Sequence, residues 1–180
     1  MLALFCPTAY YDSIYDIDLK ELRSKNITGL IFDFDNTLIA RGSRETPDGL
    51  HEWLQKLEQA GFRVCIVSNN LQSKIGAIAQ SLGIPLVAQA GKPRNKAFTQ
   101  GMKIMGTMAS QTAVIGDQLF TDILGGNRLG LVTILVVPMG KRELLHTRLL
   151  RYLERLILTH LQHKNMLIRK KATDSTGEVK

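Results

Sequence analysis

Two aspartates separated by one phenylalanine, Asp33 and Asp35, have the residue types and the spacing best suited to chemistry in this sequence. They follow the apolar residues 30–32, and an apolar run without polar alternation predicts a strand covered on both faces, as in a parallel sheet. Side chains two residues apart on a strand point to the same side, so both carboxylates could face one ligand while Phe34 turns into the core. Open parallel sheets place their binding sites at the carboxyl ends of strands, where this pair is expected to lie.

The close spacing of the two carboxylates predicts a cation beside them, because like charges raise the pKa of one member of such a pair unless something neutralises them. Mg²⁺ prefers oxygen ligands and is often held by one or two carboxylates together with a substrate phosphate. With the metal bound, Asp33 could act as an ionised nucleophile while Asp35 transfers protons. A structural alternative stays open, in which the pair caps the next turn and Asn36 and Thr37 bond local backbone.

Two further polar residues follow later predicted strands. Ser68 precedes a predicted helix whose free amides favour an anion, so its hydroxyl could bond a phosphate oxygen. The alternative for Ser68 is a helix N-cap shared with Asn69 or Asn70. Lys92 lies in the segment GKP, where an ammonium could offset the charges of Asp33 and of a bound phosphate. The alternative for Lys92 is a solvated loop lysine.

The segment GDQLFTD, residues 116–122, offers two more carboxylates. Gly116 would allow close approach of the backbone, and Asp117 ends a predicted strand as a natural metal ligand. Asp122 would face back towards Lys92 or the metal from one turn into a helix. A helix N-terminus that is simply rich in acid would look similar.

Strand and helix patterns alternate along the chain and would position these residues. The predicted strands are 28–33, 62–67, 85–88, 113–115 and 132–137. The predicted helices are 18–25, 46–60, 71–82, 94–105 and 120–129. Strands alternating with helices of this length indicate βαβ units with right-handed crossovers. The expected fold class is therefore α/β, a three-layer Rossmann-like parallel sheet flanked by helices, formed by residues 1–140.

Length and composition indicate a globular protein with one main domain, since the chain has 180 residues and is 44% hydrophobic. Its two cysteines, Cys6 and Cys65, lie far apart and imply no disulfide framework. The first residues do not look like a secretory signal, and no apolar segment reaches the ~18 residues needed to span a bilayer. The expected location is the reducing cytoplasm.

The net charge of +7 is concentrated at the C-terminal end. Residues 1–140 carry 13 Lys or Arg and 12 Asp or Glu, whereas residues 141–180 carry 10 and 4. A neutral body with a cationic end predicts a polyanionic neighbour, either lipid headgroups or nucleic acid.

Residues 141–171 are predicted to form a basic amphipathic helix on or beside the main domain, followed by a disordered tail at 172–180. The apolar stripe is Leu145, Leu149, Leu153, Leu156 and Ile157, and the basic stripe is Arg148, Arg151 and Arg155. Two interpretations stay open: a helix that packs on the sheet before a solvated basic tail, and an interfacial helix that brings the site to anionic lipid. His160 and His163 indicate a surface pair rather than a metal site, because carboxylate and thiol partners are missing.

The motifs DFDNT, VSN, GKP and GDQLFTD, in this order, resemble the four motifs of the haloacid dehalogenase (HAD) superfamily of phosphotransferases. The resemblance spans residues 30–138. The segment IDLKELRSKNITGLIFDFDNTLIA, with VSNN and GDQLFTDI, is similar to the bacterial YqeG-type branch of subfamily IIIA, which is related to phosphatidylglycerophosphate phosphatases.

The resemblance implies a role for each acidic residue. Asp33 would attack phosphorus and become an aspartyl-phosphate, and Asp35 would protonate the leaving oxygen and then deprotonate water. Mg²⁺ would be held by the Asp33 carboxylate, the Asp35 main-chain carbonyl and Asp117.

The resemblance also implies the residues that bind the phosphate, which are Ser68, Asn69 and Lys92. Asp122 would support Lys92 or a metal-bound water from behind, and Thr37 would lie beside the site without touching substrate.

The spacing between the motifs leaves room for crossover helices but not for a cap domain. An open site of this kind is expected to accept phosphate on something large, because the substrate itself must help to exclude water. Arg41 or Arg44, beside the first motif, could reach a second phosphate or a lipid headgroup. The alternative for these two arginines is a solvated loop.

The expected function is a magnesium-dependent phosphomonoester hydrolase whose favoured substrate is a lipid phosphate such as phosphatidylglycerophosphate, acting in the cytoplasm and peripherally at the inner face of the membrane. An alternative within enzymes is a phosphatase for nucleotides, sugar phosphates or phosphoproteins. An alternative of another class is a nucleic-acid or ribosome-associated binding protein with a vestigial acidic site.

Overall fold

Seven parallel strands form one sheet in this computed structural model, which describes residues 2–43, 45–140, 145–164, 166–167 and 169–170. The strands are β1 Ala9–Tyr11, β2 Gly29–Phe32, β3 Arg63–Val67, β4 Leu86–Val87, β5 Thr112–Gly116, β6 Val132–Val136 and β7 Arg169–Lys170. Their order across the sheet is β4-β3-β2-β5-β6-β1-β7. β2 therefore has parallel neighbours on both sides, which is the position that its uninterrupted apolar run predicts.

Helices cover both faces of the sheet. They are α1 Leu19–Ser24, α2 Leu50–Gln59, α3 Gln72–Ser81, α4 Asn95–Met105, α5 Leu124–Arg128 and α6 Leu145–His163, with a π-helical turn at Leu119–Ile123. Leu30 and Phe32 of β2 pack with residues of α1, α2 and α3, whereas Ile31 packs with residues of α4. This three-layer α/β arrangement confirms the predicted fold class. Over the described residues between Asp35 and Lys92 the helices and strands are α2, β3, α3 and β4, so no cap domain intervenes.

Two predicted helices begin differently in the structure. The helix predicted at residues 46–60 begins at Leu50, because Gly49 before it adopts the left-handed conformation with φ +78° and turns the chain. The helix predicted at residues 120–129 begins with the π-helical turn at Leu119–Ile123 and becomes α-helical only at Leu124. Apolar periodicity identifies both helices but does not predict the conformation of the residues at which each one begins.

The sequence patterns do not predict the strands β1 and β7, which are too short to show alternation. The prediction of one helix over residues 141–171 is wrong at its end, because α6 ends at His163 and Arg169 and Lys170 form β7, which pairs with β1. Arg169 also forms an ion pair with Asp12, and Nζ of Lys170 lies 2.6 Å from Oε2 of Glu21. The predicted tail at residues 172–180, Arg44 and the side chains of residues 145–149 lie outside the described part of the chain.

Helix α6 turns a different face to the domain from the one that its apolar stripe predicts. Leu153 and Leu156 of the predicted apolar stripe are 41% and 53% exposed, so the interpretation in which the stripe packs on the sheet does not hold for these two leucines. Glu154 is buried instead, because its carboxylate accepts a hydrogen bond from the domain below, and Ile157 packs on the apolar residues beneath the helix. Within the described residues, no helix has the length and hydropathy needed to cross a membrane.

Two glycines let α5 lie directly on its neighbours. A Cβ at Gly126 would stand 2.4 Å from Cγ1 of Val114 on β5, and a Cβ at Gly125 would stand 2.4 Å from Cε2 of Phe98 on α4. Both distances are well below van der Waals contact, so a side chain at either position would push the helix away. This close packing sets the height of the preceding π-helical turn, and with it the position of Asp122 at the carboxyl edge of the sheet.

We expect Gly126→Ala to lower the free energy of unfolding by about 1–3 kcal/mol, because the added methyl group overpacks the rigid strand beneath. The matched control is Gly76→Ala on α3, where the new Cβ meets only the flexible end of Gln72. Alanine is favoured over glycine inside helices by about 0.5–1 kcal/mol, so the control should be neutral or stabilised. Urea unfolding measures both, and equal stability of the two variants would contradict the packing described here.

Candidate active site

Four of the predicted site residues converge at the carboxyl edge of the sheet. Asp33 follows β2, Ser68 follows β3, Asp117 follows β5 and Lys92 lies in the loop after β4. The main-chain amide of Asp33 donates to the carbonyl of Ile115 at 2.9 Å, which continues the ladder between β2 and β5. All four side chains are buried, so neighbouring residues rather than solvent determine their protonation and orientation.

Lys92 lies between two carboxylates. Its Nζ is 2.6 Å from Oδ1 of Asp33 and 2.7 Å from Oδ1 of Asp122, and the side chain is 3% exposed, which excludes the solvated loop lysine. Burial alone would lower the pKa of Lys92, but the carboxylates of Asp122 and Asp33 outweigh it. The pKa of Lys92 is therefore raised above its ordinary value and the ammonium stays charged.

The main chain of Lys92 is held by the side chain of Asn69. The Asn69 Oδ1 accepts a hydrogen bond from the amide of Lys92 at 2.7 Å, and Nδ2 donates to the Lys92 carbonyl at 3.3 Å. Asn69 was predicted from the sequence as a phosphate ligand, and it does line the cleft. Both polar atoms of the Asn69 side chain bond the main chain of Lys92. In this structure Asn69 therefore positions Lys92.

Ser68 and Asn70 form a second small network beside Asp35. The Ser68 hydroxyl oxygen accepts a hydrogen bond from the main-chain amide of Asn70 at 3.1 Å, and Nδ2 of Asn70 donates to Oδ2 of Asp35 at 3.1 Å. Ser68 is not the N-cap of α3, since that helix begins at Gln72 and Leu71 occupies the cap position. The sequence patterns predict Asn70 only as a possible cap and carry no signal for its contact with Asp35.

The loop after Asp35 folds back on itself. Asn36 adopts φ +63°, and its amide donates to the carbonyl of Ile39 at 2.7 Å while its Oδ1 accepts from the amide of Arg41 at 3.0 Å. Asn36 therefore bonds local backbone, as the structural alternative predicts for this residue. Thr37 is buried next to the site, and its hydroxyl oxygen has no hydrogen-bond partner among the described residues.

Gly116 allows Asp122 to reach the site. A Cβ at Gly116 would lie 2.3 Å from Cγ of Asp122, so a larger residue at this strand end would displace the carboxylate. Oδ2 of Asp122 accepts from the main-chain amide of Gln118 at 3.3 Å, which fixes the carboxylate while Oδ1 faces Lys92. The predicted orientation of Asp122 towards Lys92 is observed.

A cleft of about 270 Å³ opens above these groups, and its rim adds residues that the sequence motifs did not include. The lining residues are Asp33, Asp35, Arg41, Ser68, Asn69, Asn70, Lys92, Gln118, Thr121 and Leu150. A larger cavity of about 690 Å³ lies at the opposite edge of the sheet, beside Phe62 and Pro85. The smaller cleft is the better candidate for chemistry because the buried charges converge there.

The C-terminal helix also reaches the site, which sequence reasoning missed. Nη1 of Arg151 donates to the main-chain carbonyl of Asp117 at 2.5 Å, and Nη2 donates to Oδ2 of the same residue. Nη1 also donates to Oε2 of Glu154 at 2.9 Å, and Oε1 of Glu154 accepts from the amide of Leu119 at 2.7 Å. The spacing of Arg151 and Glu154 indicates an ion pair within a helix, but no local signal identifies Asp117 as the third member.

The residues present fit a divalent cation. Carboxylate oxygens of Asp33, Asp117 and Asp122 lie within 4.8 Å of one another, and among the described residues Oδ1 of Asp117 is buried without a hydrogen-bond partner. Burial raises the pKa of Asp33 to about 6 and that of Asp117 to about 8, and neighbouring carboxylates push in the same direction. Because Lys92 already contacts Asp122 and one oxygen of Asp33, the donors available to a cation are Asp33 and Asp117, with the Asp35 carbonyl as the third predicted ligand.

Both histidines of α6, His160 and His163, are exposed on the helix surface. This agrees with the surface pair expected from the sequence.

We expect Lys92→Met to lower the free energy of unfolding of the metal-free protein by about 3–5 kcal/mol, because Asp33 and Asp122 remain buried without their cation. The deficit should shrink as the pH falls, since burial raises the pKa of Asp33 and its protonated carboxyl group needs no neighbouring charge. The control is Lys96→Met, an exposed lysine at the start of α4, which should change stability by less than about 0.5 kcal/mol. Denaturant unfolding in the presence of chelator tests this, and a Lys92→Met variant as stable as its control would be inconsistent with the observed contacts.

Comparison with protein families gives a match that covers most of the chain. The family described as "Mitochondrial PGP phosphatase" matches residues 2–139. The "Probable phosphatase YqeG" of Bacillus subtilis (strain 168) is 39% identical over 160 residues, which cover 89% of this chain and 93% of that protein.

Two further relatives carry the name phosphatidylglycerophosphate phosphatase 1. The chloroplastic protein of Chlamydomonas reinhardtii is 32% identical over 76% of this chain and 54% of its own length. The chloroplastic/mitochondrial protein of Arabidopsis thaliana is 29% identical over 71% of this chain and 39% of its own length. The matched region thus spans less than two thirds of either of these relatives.

Solved structures share the fold. A protein from Streptomyces avermitilis MA-4680 described as a HAD family hydrolase aligns with TM-score 0.51 and 20% identity, over 64% of this chain and 70% of that one. The cobalt-bound deoxy-D-mannose-octulosonate 8-phosphate phosphatase of Haemophilus influenzae aligns with TM-score 0.50 and 18% identity, over 75% and 89%. The solved structures show the fold, and the family match and the YqeG relative show that the chain belongs to the PGP phosphatase family, as a phosphatase of the YqeG type.

Proposed function

We propose that this phosphatase is a magnesium-dependent phosphomonoester hydrolase that forms an aspartyl-phosphate on Asp33, and that its favoured substrate is the lipid phosphate phosphatidylglycerophosphate. The observation that carries the proposal is the 2.6 Å contact between Lys92 and Asp33 at the floor of the cleft, with Asp35 two residues further on. The ammonium favours the ionised form of Asp33, which is the form that can attack phosphorus.

The reaction needs two carboxylates with different tasks. A carboxylate oxygen of Asp33 attacks phosphorus, the bond from phosphorus to the ester oxygen breaks, and Asp35 gives its proton to that oxygen. Asp35 then removes a proton from the water that attacks the aspartyl-phosphate, which releases phosphate and regenerates Asp33. The hydrogen bond from Asn70 to Oδ2 of Asp35 orients this carboxyl group and leaves proton transfer to Oδ1. Mg²⁺, held by Asp33, Asp117 and the Asp35 carbonyl, would neutralise charge on the phosphate.

The phosphate itself is assigned to Ser68 and Lys92, with Asn69 bordering it. The Ser68 oxygen accepts from the amide of Asn70, so its own proton can be donated to a phosphate oxygen. Lys92 supplies a fixed positive charge because Asn69 holds its main chain and Asp122 holds its ammonium from the other side. Phosphoryl transfer depends mainly on positioning and charge neutralisation, which this arrangement provides.

Three observations support a lipid-borne substrate. The cleft is open, and Leu150 and Arg41 stand on its rim, where a headgroup and its glycerol would lie. Helix α6, which contributes Leu150 to this rim, exposes Leu150, Tyr152, Leu153 and Leu156 to solvent. The plant and algal relatives are named as phosphatases of phosphatidylglycerophosphate. We therefore place the enzyme at the cytoplasmic face of an anionic membrane, with the exposed side chains of α6 at the lipid surface.

The competing functions differ in substrate or in class. A nucleotide, sugar phosphate or phosphoprotein would use the same site without any membrane contact. A nucleic-acid or ribosome-associated binder would depend on the basic C-terminal region, but Arg151, Arg169 and Lys170 are engaged in ion pairs within the protein. The cationic surface that remains available is therefore smaller than the net charge indicates. This favours a lipid phosphatase over a nucleic-acid or ribosome-associated binding protein.

We expect Asp33→Asn to abolish phosphate release, because an amide cannot act as the nucleophile, and Asp35→Asn to reduce it by about 10²–10⁴-fold through loss of the proton donor. Chelation should stop the wild type, and added Mg²⁺ should restore it. Asp48→Asn, which changes an exposed acid outside the cleft, is the control and should retain full activity. The assay compares phosphatidylglycerophosphate with sugar phosphates and nucleotides, and undiminished turnover by Asp33→Asn would remove the proposed chemistry.

The membrane contact is tested separately by sedimentation with anionic vesicles across a salt series. The double variant Leu153→Ser/Leu156→Ser should bind vesicles at least about tenfold more weakly, because each leucine contributes roughly 1.5–3 kcal/mol when buried. It should keep its activity on soluble phosphate esters. Ile104→Ser, an exposed residue on α4, is the control and should bind as the wild type does. Binding of the wild type to RNA but not to vesicles would favour the nucleic-acid alternative.

A further inference from the structure

One arginine of helix α6 fixes both the main chain and the side chain of Asp117. Arg151 reaches the Asp117 carbonyl with Nη1 and the Asp117 carboxylate with Nη2. The guanidinium is planar and rigid, so two contacts to one residue determine the carboxylate orientation as well as its position. The Arg151 side chain is 12% exposed and that of Asp117 is fully buried, so water competes little for these bonds.

We infer that Arg151 is a positioning residue for the Asp117 carboxylate, and that α6 thereby completes the metal site. This inference rests on the proposed function, since it assigns Asp117 to the cation. With Oδ2 held by Arg151, the oxygen of Asp117 that is left for a cation is Oδ1, which is buried and for which the described residues offer no hydrogen-bond partner. Carboxylates that bind metals are commonly oriented by a hydrogen bond to their other oxygen, and loss of such a partner weakens metal binding.

Glu154 keeps this arginine in place and extends its effect. One carboxylate oxygen of Glu154 accepts from Arg151, and the other accepts from the amide of Leu119 at the start of the π-helical turn. The same turn carries Asp122, which contacts Lys92. One helix therefore fixes the segment from Asp117 to Leu119 at both ends.

Stability alone gives little reason for this arrangement. Burying charged groups costs desolvation energy, and apolar side chains of similar size usually stabilise an interface as well or better. The buried cluster of Arg151, Asp117 and Glu154 has more acid than base, and it adjoins the further carboxylates of the site. A role in orienting a metal ligand accounts for the presence of these charges, whereas packing does not require them.

The opposite interpretation predicts the opposite sign. If Arg151 only competed with the cation for Asp117, its removal would tighten metal binding, because a positive charge would leave the site. If it orients the ligand, its removal loosens metal binding. Metal affinity, measured independently of activity, therefore separates the two.

The decisive experiment is calorimetric titration of the full chain with Mn²⁺ at fixed pH. Arg151→Met should weaken Mn²⁺ binding by about 10–100-fold. The matched control is Arg155→Met, which removes the same charge from an exposed position one turn later on the same helix and should leave the affinity within about threefold of the wild type. Unchanged or tighter binding by Arg151→Met would overturn the inference.

Two further variants separate charge from geometry and guard against misfolding. Arg151→Lys keeps the charge but cannot make both contacts, so its affinity should stay closer to that of Arg151→Met than to the wild type. Glu154→Gln keeps the acceptor for Leu119 while losing its charge, and it should weaken Mn²⁺ binding by a smaller factor. Thermal unfolding of the metal-free proteins reports whether each variant folds. A variant that melts lower but binds Mn²⁺ as the wild type does shows a structural role only and counts against the inference.

Kinetics add a readout that distinguishes this inference from the proposed function. Because Arg151 does not line the cleft, Arg151→Met should need more Mg²⁺ for half-maximal rate yet recover most of its kcat at saturating Mg²⁺. Failure of the inference alone would appear as Mn²⁺ binding that depends on Asp117 but not on Arg151. Failure of the proposed function would appear as a wild type that binds no divalent cation, or as turnover that survives Asp33→Asn.

Discussion

The buried ammonium of Lys92, held between Asp33 and Asp122, is the interaction on which the rest of the site depends. Burial of these three charged groups costs desolvation energy that only close contacts between them can offset. A small displacement of any one side chain would therefore destabilise the site. Asn69 holds the lysine loop from one side, and the absence of a side chain at Gly116 admits Asp122 from the other. The close packing of α5 on the sheet is thus coupled to chemistry, because it sets the height of the turn that supplies the second carboxylate.

The convergence of the site residues could be predicted because sheet geometry requires it. Parallel strands bring their carboxyl ends to one edge, so polar residues placed directly after the apolar strands are predicted to meet there. The contacts among them could not be predicted, since the sequence does not specify that Asn69 bonds the main chain of Lys92 or that Asn70 reaches Asp35. The strands β1 and β7 could not be predicted because two or three residues show no alternation. The π-helical turn could not be predicted because apolar periodicity does not distinguish helix types.

The basic C-terminal region shows how net charge can misdirect an interpretation. From the sequence, these residues form a cationic surface available to a polyanion. In the structure, Arg151 pairs with Asp117 and Glu154, Arg169 with Asp12 and Lys170 with Glu21. Hydrogen bonds from Lys170 and Lys25 lower the pKa of Glu21 to about 2. Glu21 therefore stays ionised and remains paired with the two lysines. The case for a membrane therefore rests less on charge than on the apolar side chains that α6 leaves exposed.

The two faces of helix α6 link the metal site to the proposed membrane contact. The inner face carries Arg151 and Glu154 to the Asp117 segment, and Leu161 anchors it in the domain. The outer face exposes leucines, one of which stands on the rim of the cleft. Contact of the outer face with lipid would favour the docked position of the helix, since both sets of contacts need the same placement. Metal affinity would then rise at a lipid surface. The metal site, which has no cap domain to close it, would be fully formed at the membrane that carries the substrate.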